Sequence, residues 1–327
     1  MRTVAVKTTR AETASSAEKW TLSEYTADVS VVVVNYKTPD MLRRTVSTLL
    51  TSEQRSSVEV IVVDNASNDG SAEMVRREFP QVKCIANEVN LGHTGGCNQG
   101  MKAAGGRYLF LLNSDTVMQS GAIDRLVEYL DRHSHVGAVA PKVLNPDGSV
   151  QGTIKSFPSP WSAICGRYSL LARLFPGNRL SRRYLMYREA DFDRPFPVDS
   201  ASACAFMVRR EAIEKAGPLD ARFFLYWNDV DWCRSIWASG FVIHCVPDSV
   251  LQHDQHRGGT RKGPKRLLMS TIDFHVGAYR YYRKWHIRSA WEPANAAAIG
   301  GLTARALFVI VAEELRWLFN RERKEMR

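Results

Sequence analysis

Arg107-Tyr-Leu-Phe-Leu-Leu-Asn-Ser-Asp115 decides the fold. Its apolar run is too short for a helix and has no polar alternation, which is the pattern of a strand buried on both faces of a parallel sheet. It stops abruptly in polar groups. In an open parallel sheet, ligands sit beyond the carboxyl ends of the strands, so Asn113, Ser114 and Asp115 fall where chemistry belongs. A carboxylate leaving a buried strand needs compensation, and a divalent cation carrying a diphosphate is one source of it. The tripeptide alone equally suits a turn capping the next helix.

The flanking segments repeat the same unit. Ser30-Val-Val-Val-Val-Asn35 is a β-branched strand, and Pro39 opens a helix that runs through Leu50. Residues 58–63 form a second strand ending at Asp64-Asn65, followed by a helix over 71–79. Residues 82–86 are a third strand. Asn90-Leu-Gly-His-Thr-Gly-Gly96 then reads as a glycine-rich loop feeding a helix that begins near Cys97. Such alternation predicts βαβ units with right-handed crossovers. Downstream come a helix over 122–133, a strand over 136–140 and a hairpin turn signal at Asn145-Pro-Asp-Gly148. Residues 155–197, with a basic cluster at Arg179, Arg182 and Arg183, read as an irregular, partly helical insertion over the open end of the sheet. Residues 199–208 are strand-like, 210–216 helical, and Phe223-Phe-Leu-Tyr-Trp227 runs into Asn228-Asp-Val-Asp231. Two further strands, 241–246 and 249–251, deliver Gln252-His253-Asp254.

Composition narrows the partners. With 327 residues and 45% hydrophobic content the chain sustains a sizeable core, and a formal charge of +10 favours an anionic partner such as a nucleotide diphosphate or a lipid headgroup. Six cysteines lie scattered without metal-ligand spacing, as expected of reduced thiols in a cytoplasmic protein. Residues 1–28 read as a mobile tail without the apolar core of a signal peptide.

The strand Val31 to Tyr36, the segment around Asp64, Asn90 to Asn98, Leu-Asn-Ser-Asp115, and Tyr-Trp-Asn-Asp-Val-Asp-Trp-Cys-Arg234 occur in an order that resembles the family 2 glycosyltransferases of GT-A fold, closest to bacterial rhamnosyltransferase-type members. The resemblance covers roughly 30–253. It implies an α/β, mostly parallel mixed sheet flanked by helices, and an inverting transfer of a sugar from a nucleotide diphosphate to a hydroxyl, usually with Mg or Mn. The GT-A domain then spans 29–256, with a nucleotide-binding half (29–140) and an acceptor half (141–256).

On that resemblance Asp64 is placed like the base-binding aspartate, although a turn-forming role before Gly70 remains open. Asn35, Tyr36, Asn90, Gly92, Gly95, Asn113 and Asp115 would line the nucleotide sugar, and a helix N-terminus at the glycine loop suits anionic ligands. The family's DxD-like motif reads Asn113-Ser-Asp115 here, so Asp115 is its sole carboxylate, and His253 matches the histidine that completes the metal site. One general base must face the acceptor hydroxyl. Asp229 and Asp231 lie two apart on a helix and do not share a face. Asp231 has Arg234 as an i+3 partner, and Asp229 matches the catalytic carboxylate. Trp227 and Asp231 are expected at the acceptor. Asn228 stands where the family commonly has an acid, and Ser202 where a glycine is common.

Residues 257–327 form a basic, aromatic helical extension. Leu307, Val311, Leu315 and Leu318 share one helical face, with Trp317 beside them and Arg316, Arg321, Arg323 and Lys324 nearby, the pattern of an interfacial helix. The expectation is peripheral attachment to the cytoplasmic face of the inner membrane, beside a glycan or polyprenol-linked acceptor of polysaccharide or cell-wall assembly. A helix packed on its own domain or on a second subunit shows the same amphipathic pattern, and oligomeric state is open. Nucleic acid is not expected, because no recognition motif accompanies the basic residues. The rival readings are a nucleotidyltransferase, a transferase using a UDP- or GDP-sugar, and a non-catalytic nucleotide-sugar or lipid-binding protein.

Overall fold

The computed structural model describes residues 24–159, 174–175, 178–254 and 264–325. Most of the tail expected at 1–28, the basic stretch 257–263 and the middle of the 155–197 insertion lie outside the described residues, as do the side chains of Leu315, Arg316, Trp317, Leu318, Arg321, Arg323 and Lys324.

Eleven strands are described: β1 (Ala27–Asn35), β2 (Val58–Asp64), β3 (Lys83–Ala86), β4 (Gly106–Asn113), β5 (Thr116–Met118), β6 (Val136–Leu144), β7 (Ile154–Lys155), β8 (Phe196–Pro197), β9 (Ser200–Ala201), β10 (Ala205–Arg209) and β11 (Val242–His253). The main sheet runs β3-β2-β1-β4-β10-β6-β11-β5, with β8 added on β11, while β7 and β9 form a separate ribbon. Pairings among β3, β2, β1 and β4 and between β6 and β11 are parallel, and β10 is antiparallel to both β4 and β6.

Helices α1 (Pro39–Thr51), α2 (Ser71–Glu78), α3 (Gly92–Lys102), α4 (Ala122–Arg132), α5 (Arg179–Tyr184), α6 (Arg210–Ala216) and α7 (Asn228–Ala238) accompany the sheet. Two longer helices, α8 (Pro264–Trp285) and α9 (Pro293–Glu325), follow.

The decisive stretch is buried on both faces, as its apolar run requires. Phe110 and Leu112 join Val31 and Val33 in a cluster with Leu42, Val46, Leu126 and Leu130 of α1 and α4. Leu109 and Leu111 join Val32, Ile61 and Val63 on the other face, against Cys97, Met101, Ile213, Trp232 and Ile236. Each such side chain contributes about 1.5–3 kcal/mol by leaving water, which is why the strands align without alternation.

Four local expectations are corrected. The glycine loop is largely the first turns of α3, which begins at Gly92 rather than near Cys97. Its glycines bring helix and sheet together: a Cβ on Gly96 would lie 2.8 Å from Val34 Cγ1, and one on Gly100 would clash with Val32. The strands expected at 241–246 and 249–251 are one strand, β11, with an irregularity between Val246 and Val250. The segment 199–208 divides into β9 and β10, because Ser202 N–H turns aside to Thr153 O. The turn at Asn145–Gly148 forms, with Gly148 N–H to Asn145 O, but the antiparallel pairing beyond it is a stub, with Asn145 N–H to Ser149 O, Gln151 N–H to Val143 O and the isolated bridge Leu144–Val150 rather than two strands.

Candidate active site

Strand register brings the first group together. Asn35 lies opposite Asp64 in the β1–β2 pair, and Val34 opposite Asn113 in the β1–β4 pair, so three polar residues end neighbouring strands at one level. Asn35 Nδ2 donates to Asp64 Oδ1 at 2.8 Å and to Ser67 Oγ at 3.1 Å, and Ser67 N–H donates to Asp64 Oδ2 at 3.2 Å. Asp64 is thus buried, 5% exposed, as the organiser of the turn after β2. Tyr36 follows at the exit of β1, where Lys37 takes a left-handed φ of 59°. Thr38 Oγ1 bonds Asn35 Oδ1 at 2.7 Å and Ser114 Oγ at 2.9 Å, which joins this loop to the Asn-Ser-Asp turn.

Asn65, which sequence reading passed over, holds the start of α3. Its Nδ2 donates to Asn90 Oδ1 at 2.9 Å and to Gly92 O at 2.8 Å, while its Oδ1 accepts from Leu91 N–H. Asn90 Oδ1 also accepts from Gly92 N–H at 2.8 Å. Gly92 has φ of +75°, and a Cβ there would sit 2.5 Å from Phe224 O, so only glycine fits beneath the loop leading to α7. Gly95 faces Leu91, where a Cβ would meet Leu91 Cβ at 2.7 Å. At this helix N-terminus Gly92 N–H is held by Asn90, and Thr94 N–H donates to Phe224 O at 3.3 Å.

The turn after β4 is clamped by α1. Thr45 Oγ1 donates to Ser114 O or Thr116 O, at 2.9 and 2.8 Å, and accepts from Thr116 N–H. β5 then pairs with the end of β11, and Asp254 N–H donates to Asp115 O at 2.9 Å. These bonds set His253 Nε2 3.0 Å from Asp115 Oδ1, with both side chains less than one-tenth exposed. Gln151, unremarked in the sequence, orients the ring. Its Nε2 donates to Asn145 Oδ1 and to His253 O, so its Oε1, 2.7 Å from His253 Nδ1, must accept. A neutral His253 therefore carries its proton on Nδ1 and turns the Nε2 lone pair toward Asp115. The arrangement calls for a positive charge between them. Burial alone would lower the imidazole, but the Cys204 thiol and Asp115 beside it push it up to about 10.

A cation would meet the same need, since one carboxylate oxygen and one imidazole nitrogen converge with the ring tautomer held by a neighbour. The residues present fit Mg or Mn in that limited sense. Among the described residues no three His, Cys, Asp or Glu side chains gather into a cage, so the protein offers two donors and a diphosphate and water must supply the others.

Asp229 stands in the first turn of α7, behind Trp227, whose φ of +70° ends the preceding loop. Asn228 is 3% exposed, and its Oδ1 accepts from Asp229 N–H at 2.9 Å. His93, in the first turn of α3, lies between the two groups. Its Nδ1 is 3.0 Å from Asn228 Nδ2, and the Asp229 and Asp115 carboxylates act on its charge. Burial holds His93 below its ordinary value although those carboxylates and Asn113 pull upward.

Trp227 and Asp231 do not sit as expected. Asp231 is 1% exposed, with Lys284 Nζ 2.7 Å from Oδ2 and Trp285 Nε1 donating to Oδ1 at 2.7 Å. Arg234, its expected partner, instead donates to Tyr281 Oη at 3.0 Å and meets His286 Nε2 at 2.8 Å. The Trp227 ring packs on Phe274 and Tyr281 of α8, at centroid distances of 5.6 and 5.4 Å. Asp231 is therefore spent on anchoring the C-terminal extension against α7, whereas Trp227, packed on α8, stays half-buried with its Nε1 unpartnered among the described residues.

The same family emerges from comparison with other proteins. The model of the family described as Glycosyl transferase family 2 matches residues 30–217. Among curated proteins, an N-acetylglucosaminyl-diphospho-decaprenol L-rhamnosyltransferase of Mycobacterium tuberculosis is 27% identical over 278 residues, covering 80% of this chain and 89% of that protein. Two solved structures share the fold at low identity. A mannosyltransferase from Pyrobaculum calidifontis in complex with GDP-Man and Mn2+ has a TM-score of 0.52 at 16% identity, over 95% of this chain and 86% of that one. GalNAc-T7 with UDP, GalNAc and Mn2+ has a TM-score of 0.54 at 19% identity, over 78% of this chain and half of that one. With its mostly parallel sheet, its helical flanks and a family match over more than half its length, the chain belongs to glycosyl transferase family 2.

Proposed function

We propose that the protein transfers a sugar with inversion, from a nucleotide diphosphate to a hydroxyl of a lipid-linked glycan, with Asp229 as general base. The observation that carries this reading is the convergence of Asp115 Oδ1 and His253 Nε2, 3.0 Å apart beside Asn113 at the strand ends, with the α7 turn that bears Asp229 tied to α3 through Asn228 and His93. Asp115 and His253 would hold Mg or Mn, which when bound neutralises charge developing on the departing diphosphate. Asn35, Tyr36 and Asp64 would line the base and ribose side of the crevice, and Asn90, Gly92 and Gly95 would present the α3 N-terminus to the donor. Asp229, on a rigid helix, accepts the hydroxyl proton as the acceptor oxygen attacks the anomeric carbon.

L-Rhamnose from dTDP-rhamnose is the proposed donor, and a polyprenol-linked glycan the proposed acceptor, on the likeness to the mycobacterial relative. Membrane attachment is supported by α9, where residues Pro293–Ala312 are long and apolar enough to cross a membrane and only 6% buried. Ile299, Leu307, Phe308 and Val311 stand exposed there. Flotation with anionic vesicles should lose the protein when residues 293–327 are removed, and unchanged flotation would remove the attachment.

The test of function is turnover of a panel of dTDP-, UDP- and GDP-sugars with Mn or Mg and a membrane lipid extract. One donor should be consumed, and Asp229→Asn should lower kcat by about 10²–10⁴-fold, the usual contribution of a positioned base. Nucleotide binding without turnover of any donor would favour the binding-protein reading.

A further inference from the structure

The turn that bears Asp229 is held from the C-terminal extension. We propose, on the reading of Asp229 as general base, that Asp273 of α8 is a positioning residue of that base, whose carboxylate fixes the backbone from which α7 starts.

The chain enters α7 through Phe224-Leu-Tyr-Trp227, a segment that belongs to no helix or strand. Its backbone N–H groups have no ladder to join, so other groups must take them. Asp273 Oδ2 accepts from both Leu225 N–H, at 3.2 Å, and Tyr226 N–H, at 3.1 Å. Just before them Phe224 O accepts from Thr94 N–H of α3, and just after them Trp227 O accepts from Asp231 N–H at 3.0 Å, the bond that opens α7. The segment is thus pinned at each residue from Phe224 to Trp227. One side chain of α8 supplies the two middle pins.

Trp227 shows why pins are needed. Its φ of +70° is a conformation that a bulky side chain holds only where its surroundings over-determine it. Gly277 stands one turn after Asp273 on the same side of α8, and a Cβ there would lie 2.9 Å from Trp227 Cδ1 and 3.1 Å from Tyr226 O. Asp273 therefore draws the two N–H groups toward α8, and the bare Gly277 makes room for Trp227, whose ring rests on Phe274 and Tyr281. Asp229 follows two residues later in the first turn of α7. A shift of the segment carries its carboxylate along, and a misplacement of about 1 Å at a reacting group costs up to about 100-fold in rate. The bonds that organise Asp64, Asp115 and His253 do not involve Asp273, so its loss should spare the donor.

Both N–H groups meet one oxygen, so the amide oxygen of asparagine can replace it. Asp273→Ala should lower kcat by about 10–100-fold while donor KM moves less than about threefold, and Asp273→Asn should recover kcat to within about threefold of wild type. Equal activity of the two variants, or a loss carried by donor KM rather than kcat, would overturn the proposal. Gly277→Ala covers the case in which Asp273→Ala releases α8 altogether. Alanine favours the helix while its methyl group presses on the indole, so kcat should again fall by about tenfold or more with α8 intact, and full activity would overturn the proposal. A spectroscopic readout needs no substrate. In full-length protein carrying fluorinated tryptophan, the fluorine signal of Trp227, identified by its absence in Trp227→Phe, should shift or broaden in Asp273→Ala and return in Asp273→Asn. A Trp227 signal indifferent to Asp273→Ala would overturn the proposal. If Asp229→Asn keeps full turnover, the base assignment fails instead, and the fluorine signal still decides whether Asp273 holds the turn.

Discussion

The nucleotide side of the crevice and the α7–α8 contact use similar residues to opposite ends. On the first side Asn35, Asp64 and Asn113 are set level by strand register, and the bonds that bury Asn35 and Asp64 run among the turns at those strand ends. On the second, Asp231 and Trp227 occupy a motif of the same polar and aromatic character, yet α8 consumes the first and packs on the second. A carboxylate near a catalytic motif is available for chemistry only if nothing distant in the chain consumes it. Lys284 and Trp285 lie more than fifty residues away and do so here.

The largest effect that would sharpen this contrast is Asp231→Ala. It leaves Lys284 and the Trp285 N–H without their buried partner, and stability should fall by about 2–4 kcal/mol, with α8 released to limited proteolysis. Acceptor KM rising at unchanged stability would instead return Asp231 to the acceptor site. Gln151→Ala probes the opposite side. With the His253 tautomer no longer held, Mn2+ affinity measured calorimetrically in the presence of a nucleoside diphosphate should weaken by about 10–100-fold, as when other outer-shell partners of metal ligands are removed. An unchanged affinity would separate His253 from the cation.

The smallest effect is in pH. His93, His244, His275 and His286 all sit below their ordinary value, with burial the leading cause in each. For such groups the unfolded chain binds more protons, so their share of stability is complete above the unfolded value of about 6.5 and is lost as pH falls through the folded values. Denaturant midpoints should therefore decline below about pH 6.5, and less so in His244→Phe, which removes the ring between Tyr129 and His135. A midpoint that is flat to pH 5 would show that these rings are hydrated.

Much of the fold was legible because the strands of the nucleotide half are β-branched or uninterrupted apolar runs, whose burial on two faces leaves one arrangement. Asp115 and His253 were legible as motif positions. Asn65, Gln151 and Thr45 were not, because an amide or hydroxyl that serves by bonding loop backbones and other side chains has no signature of its own. The glycines of α3 were visible but misread. Glycine marks both a loop and a close helix–sheet approach, and only the neighbouring Val32 and Val34 side chains distinguish the two.

The sequence by itself determined the parallel sheet, the family and the strand ends at which chemistry sits, since hydrophobic period and residue order are local and survive without knowledge of partners. Tertiary structure decided which polar groups remain available. His93 bonded to Asn228, His253 oriented by Gln151, and Asp231 consumed by α8 all depend on hydrogen bonds between residues far apart in the chain. Such bonds are selected by where the packed elements come to rest, and no local pattern encodes that.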